Sequence, residues 1–139
     1  NLQYWKNDPY LGVGAGAHGW IDRYRTKNVL GPAAYIERLN DPRRQPRYPR
    51  TPATVEARLT DQEGEMAETM MMGLRLLDLG ISESDFQHRF GFPITERYGK
   101  EIAVLEEKEL LRWSENGTRR LVLTEKGRFL GNQVFMEFV

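Results

Sequence analysis

The stretch Tyr10-Leu11-Gly12-Val13-Gly14-Ala15-Gly16-Ala17-His18-Gly19 constrains the fold of this chain more than any other. Read as a β-strand, it sends Leu11, Val13, Ala15 and Ala17 to one face and Gly12, Gly14, Gly16 and His18 to the other. The second face is almost bare backbone. Glycine offers a strand nothing to pack and loses more entropy on folding than other residues, so three at period two imply that something lies flat against that face. Two occupants fit: a ligand or cofactor, and a closely packed neighbouring backbone. Gly14-Ala15-Gly16-Ala17-His18-Gly19 also spells the dinucleotide fingerprint G-x-G-x-x-G. Its glycines fall within the expected strand, however, and Trp20-Ile21-Asp22 gives no helix start to hold a pyrophosphate.

Residues 1–9, with Asp8 and Pro9, read as a turn-prone lead into that strand, and residues 20–25 as a second short extended piece. Pro32 sits at a first helical turn, where its missing donor is harmless, and predicts a short helix over 33–39. Residues 41–52 contain four prolines and four arginines, a density that excludes helix and central strand and predicts a solvated connector. Beyond it the punctuation becomes regular. Thr60-Asp61-Gln62-Glu63 forms a capping box ahead of a helix carrying Met66, Met70, Leu74 and Leu77, with Met71, Leu76 and Leu79 widening the stripe and Gly80 at C′. Ser82 caps a second helix with Phe86 and Phe90 inward and Gly91 as its stop. Pro93 opens a third, with Ile94, Tyr98, Ile102 and Leu105 on one face. Residues 110–113 and 119–123 flank Asn116-Gly117, a hairpin signal, and Thr124 caps a closing helix with Phe129, Leu130, Val134 and Phe135 inward. The expected fold class is therefore α+β. Residues 51–139 form a winged-helix-like domain with a two-stranded wing, and residues 1–50 form an extended, glycine-rich piece.

Composition narrows the function. Twenty basic and twenty acidic residues cancel in 139, so no global field attracts nucleic acid or an anionic membrane. The third helix and its end carry Glu96, Glu101, Glu106, Glu107 and Glu109 against Arg97, Lys100 and Lys108, which opposes the phosphate contacts a groove-reading helix needs. No nucleic-acid partner is expected. With no cysteine and only His18 and His88 as imidazoles, a transition-metal site within these residues is not expected either. His88 reads as a solvent-facing helix residue without a role. No segment has the roughly twenty apolar residues of a membrane span, and the chain reads as cytoplasmic. It begins at Asn1 without an initiator methionine and runs at once into Tyr4 and Trp5, as expected of a piece of something longer.

The order of these pieces carries a resemblance. Asn1-Leu2-Gln3-Tyr4-Trp5, the run from Gly12 to Gly19, Gly31-Pro32, Gly73-Leu74-Arg75-Leu76, Phe90-Gly91 and the run from Leu123 to Arg128 ahead of Asn132 follow one another. Together they resemble the C-terminal third of the radical S-adenosylmethionine family of oxygen-independent coproporphyrinogen III oxidases, and within it the heme chaperone branch. The resemblance implies that residues 1–50 are the last strands and a helix of a (β/α) barrel that holds a four-iron cluster and S-adenosylmethionine, with the cluster cysteines upstream of Asn1. It implies cofactor-side contacts at Gly14, Ala15, Gly16, Ala17 and His18. The branch motif His-Asn-x-x-Tyr-Trp is matched at Asn1, Tyr4 and Trp5, which implies contact with heme or another tetrapyrrole; its histidine would precede Asn1. The implied function is heme binding and transfer to acceptor proteins, or oxidative decarboxylation of coproporphyrinogen III. No catalytic or metal-ligating residue is assigned on this chain, which without cluster cysteines is expected not to generate the radical alone. The alternative from another class is a non-enzymatic winged-helix module that docks a protein partner.

Overall fold

Residues with positive φ and prolines cut the backbone into short elements in the computed structural model, which describes residues 1–114 and 117–139. In chain order these are α1 (Leu2–Trp5), β1 (His18–Ile21), β2 (Tyr24–Asn28), α2 (Pro32–Asn40), β3 (Thr54–Leu59), α3 (Gln62–Gly73), β4 (Ile81–Ser82), α4 (Glu83–Phe90), α5 (Ile94–Glu107), β5 (Leu111–Ser114), β6 (Arg120–Leu123), α6 (Glu125–Phe129) and α7 (Gly131–Met136). The class is α+β with two small antiparallel sheets. Two compact units result: Asp8–Asp61, and Asn1–Asn7 together with Gln62–Val139. This division departs from one at residue 50, because β3 pairs along β2 and because the first seven residues join the distant helices.

In the unit Asp8–Asp61, residues 20–25 are not one extended piece but a hairpin. Asp22 and Arg23 have φ of 48° and 63°, the pair of positive values that a two-residue primed turn requires between twisted strands. Trp20 then faces Arg25 across the ladder, 1% exposed, with the guanidinium 4.3 Å from its ring centroid. The glycine-rich run is not a strand either. Tyr10 pairs with Trp20 through two backbone hydrogen bonds, and the residues between them loop away and return. Gly14 and Gly16 turn the loop at φ of 107° and 70°, and Gly12 lies so close to the His18 carbonyl that a Cβ there would collide with it. The glycines thus serve turning and close backbone approach within the loop, rather than one bare face of a strand.

In the other unit, local signals give the expected helices. The Ser82 hydroxyl accepts from the Asp85 amide at the start of α4, and Gly91 ends that helix at φ of 90°. Phe86, Phe90, Ile94, Tyr98, Ile102 and Leu105 are all buried and join Met66, Met70, Leu74, Ile81, Leu121, Leu123, Val134 and Phe138 in one core. β4, β6 and β5 lie side by side in that order and cover it. Two expectations fail, and a third falls outside the described residues. α3 stops at Gly73 and turns follow, so Gly80, although left-handed at φ of 55°, is not its C′ residue, and Leu77 and Leu79 are exposed. The closing helix breaks at Leu130 into α6 and α7, which turns Phe129 out to solvent at 86% exposure and leaves Phe138 to enter the core. The Asn116-Gly117 turn involves residues 115 and 116, which lie outside the described residues.

Candidate functional site

Asn1, Tyr4 and Trp5 lie on α1, not in an extended lead. Asn1 is the N-cap residue; its carbonyl accepts from the amides of Tyr4 and Trp5, and its side chain makes no capping bond. Tyr4 and Trp5 are 47% and 38% exposed. An isolated four-residue helix is far too short to persist in water. Polar contacts from the following residues help to hold it. Asn7, 1% exposed and left-handed at φ of 54°, a conformation asparagine tolerates better than most residues, donates its side-chain amide to the Thr69 hydroxyl at 3.3 Å. Thr69 in turn donates to the Glu65 carbonyl of α3 at 2.8 Å. From α4, Arg89 donates to the Asn7 carbonyl at 2.7 Å and to the Lys6 carbonyl at 3.3 Å, while its Nε holds the Glu65 carboxylate at 2.8 Å. Glu65 and Arg89 are mostly sequestered, with side chains 11% and 23% exposed, so loss of either strands a poorly solvated charge.

Gly14, Ala15, Gly16, Ala17 and His18 belong to the other unit. Asn28, 4% exposed, donates its side-chain amide to the carbonyls of Gly12 and Gly14, both at 3.0 Å. The Gly14 amide donates to the Tyr35 hydroxyl, the Gly16 amide to the Val29 carbonyl and the Ala17 amide to the Gly14 carbonyl. Those three amides are therefore already engaged with the protein. A strand, β1, follows the loop in place of a helix. Both facts remove the dinucleotide fingerprint, which needs free amides and a helix N-terminus for the pyrophosphate. The loop still has open space beside Gly14, where an added Cβ would meet nothing within 4 Å. His18, at the start of β1, is exposed, as is His88 on α4.

Sequence reasoning named the aromatics of the first segment but missed every residue that anchors it: Asn7, Glu65, Thr69 and Arg89. In the glycine loop it missed Asn28 and Tyr35. Only Asn7 carried a local signal, as the asparagine before Asp8-Pro9 in a stretch already read as a turn. For a resident iron–sulfur cluster the residues do not fit: the chain has no cysteine, and no three His, Asp or Glu side chains gather into a metal site among the described residues. No helix among the described residues is long and apolar enough to cross a membrane.

The HemN C-terminal domain family matches residues 60–130. Across all 139 residues the chain is 34% identical to the heme chaperone HemW of Bacillus subtilis (strain 168) and 31% identical to the heme chaperone HemW of Lactococcus lactis subsp. lactis (strain IL1403). It spans 34% and 33% of those proteins, about a third of their length. Among solved structures, the Escherichia coli coproporphyrinogen III oxidase HemN, described as a radical SAM enzyme, aligns over 94% of this chain and 28% of its own with a TM-score of 0.58. At 14% identity that likeness concerns the fold alone. With a match that covers half of its residues and every element from α3 to β6, the chain belongs to the HemN C-terminal domain family.

Proposed function

We propose that this chain is the C-terminal part of a heme-handling protein of the radical S-adenosylmethionine class, and that α1 presents Tyr4 and Trp5 to a tetrapyrrole. The single observation that carries the reading is the mounting of these aromatics: half-exposed residues on a short helix whose end is secured by the hydrogen bonds of Asn7 and Arg89. Exposed aromatic faces suit stacking against a flat macrocycle. Asn1, whose side chain makes no cap bond, supplies an amide beside them. The names of the curated relatives, heme chaperones, favour heme handling over oxidative decarboxylation of coproporphyrinogen III; the corresponding proposal is heme transfer to acceptor proteins in the cytoplasm. In the intact protein S-adenosylmethionine and a four-iron cluster would supply radical chemistry, with the cluster held outside these residues. The unit Asp8–Asp61 then carries the last strands and helix of the barrel, with Gly14 to His18 on its cofactor side, and the helical unit forms the winged-helix-like cover.

Titration of hemin into the protein, followed in the Soret region, tests this. Saturable one-to-one uptake is expected, and Tyr4→Ala with Trp5→Ala should weaken it about tenfold, the equivalent of roughly 1.4 kcal/mol. Absence of uptake, or uptake indifferent to both substitutions, would overturn the reading. Formation of vinyl groups from coproporphyrinogen III by the intact protein, without hemin uptake, would favour decarboxylation.

A further inference from the structure

We infer that Glu65 and Arg89 are positioning residues: together they form a latch that sets α1 in place, so that Tyr4 and Trp5 stand ready for the tetrapyrrole. This inference rests on the function proposed above and adds the device that orders the motif.

The last carbonyls of any α-helix lack intrahelical donors, and in a helix of four residues that deficit affects most of the element. Arg89 reaches the chain at that end, with Nη1 on the Lys6 carbonyl and Nη2 on the Asn7 carbonyl. The same guanidinium points Nε and Nη2 at Glu65 Oε1, at 2.8 and 2.7 Å. One planar group thus joins the carboxylate of α3 to two carbonyls of the first segment. The Glu65 backbone carbonyl accepts a hydrogen bond from the Thr69 hydroxyl, whose oxygen accepts from the Asn7 side-chain amide, so the segment is gripped from both its carbonyl side and its side-chain side. None of these bonds uses Tyr4 or Trp5, which keep 47% and 38% of their surface exposed. A polar anchor that leaves part of the aromatic surface exposed separates holding the motif from using it. Arginine is required because a lysine ammonium is a point donor, without the fork that spans carboxylate and carbonyls at once.

The test uses Arg89→Lys, which keeps the charge and loses the fork, and Glu65→Gln, which keeps the shape and loses the charge. Amide exchange of Tyr4, Lys6 and Asn7, whose N–H groups bond to the carbonyls of Asn1, Leu2 and Tyr4, is measured by NMR alongside the amides of α5. Hemin affinity and the shape of the Soret band are measured on the same samples. The latch predicts at least tenfold faster exchange in α1 with α5 unchanged, at least tenfold weaker hemin binding, and an altered Soret band for the hemin still bound. Exchange at the wild-type rate in both variants overturns the latch. Faster exchange with hemin binding unchanged overturns its role in presenting the aromatics. If the wild-type protein takes up no hemin, the functional reading fails, while the exchange measurement still decides for or against the latch.

Discussion

Asn28 spends its side-chain amide on the carbonyls of Gly12 and Gly14 while its own backbone amide donates to Ala17, so one residue closes the glycine loop at three points. Asn28→Ala leaves two part-buried carbonyls short of a donor, at a cost of about 1 kcal/mol. Faster amide exchange at Gly16 and Ala17, with α4 and α5 unaffected, is the expected outcome. Nothing adjacent to Asn28 announces this role, because its partners lie 14 and 16 positions earlier. The glycines were visible but ambiguous: period-two spacing looks the same whether it lines a strand or supplies positive φ at a turn. Tyr98 offers a second residue-level test. Burial raises its hydroxyl pKa above the ordinary value of 10.0; Arg97 opposes the shift, and Glu101 and Glu63 add to it. As pH rises past about 10 the unfolded chain loses this proton first, so the folded state binds more protons and stability falls with further rise. Urea midpoints between about pH 9 and 11 should decline, and Tyr98→Phe should flatten that decline.

Among the elements, α4 and α5 were the most legible, since their instructions are local. Ser82 and Gly91 bracket α4, Pro93 precedes α5, and Ile94, Tyr98, Ile102 and Leu105 repeat at the spacing that faces a core. Ser82→Ala removes the hydroxyl that accepts from Asp85 and contacts Ser84, and should lower unfolding stability by about 1–2 kcal/mol in urea titrations. β3 and α1 were illegible for the opposite reason. Residues 54–59 have the exposed and half-exposed pattern of an edge strand, and only pairing with β2 makes them one. The α1 segment is helical because of groups more than sixty residues away. Phe129 was misplaced because an unbroken closing helix was assumed; the break at Leu130 shifts the apolar face, and Phe138 fills the core.

On the scale of the whole molecule the two units are unequal. The core of sixteen buried hydrophobic residues lies entirely within Gln62–Val139, whereas Trp20 and Ala53 are the buried hydrophobic residues of Asp8–Asp61 among those described. Leu11, Val13, Leu30 and Ile36 of that unit are 65%, 84%, 72% and 59% exposed. Burial of apolar surface is the main favourable term in folding, so the amides of β1, β2 and β3 should exchange well before those of α5 and β6. Hydrogen exchange followed by mass spectrometry checks the order; equal protection in both units would contradict it. The grip on the first segment has one more consequence. Asn7 meets Thr69 across 62 positions and Arg89 across 82, so the first seven residues act as a peptide ligand carried on the protein's own tether. Its local concentration, of millimolar order, is what any free peptide of that sequence would have to exceed to claim the same berth.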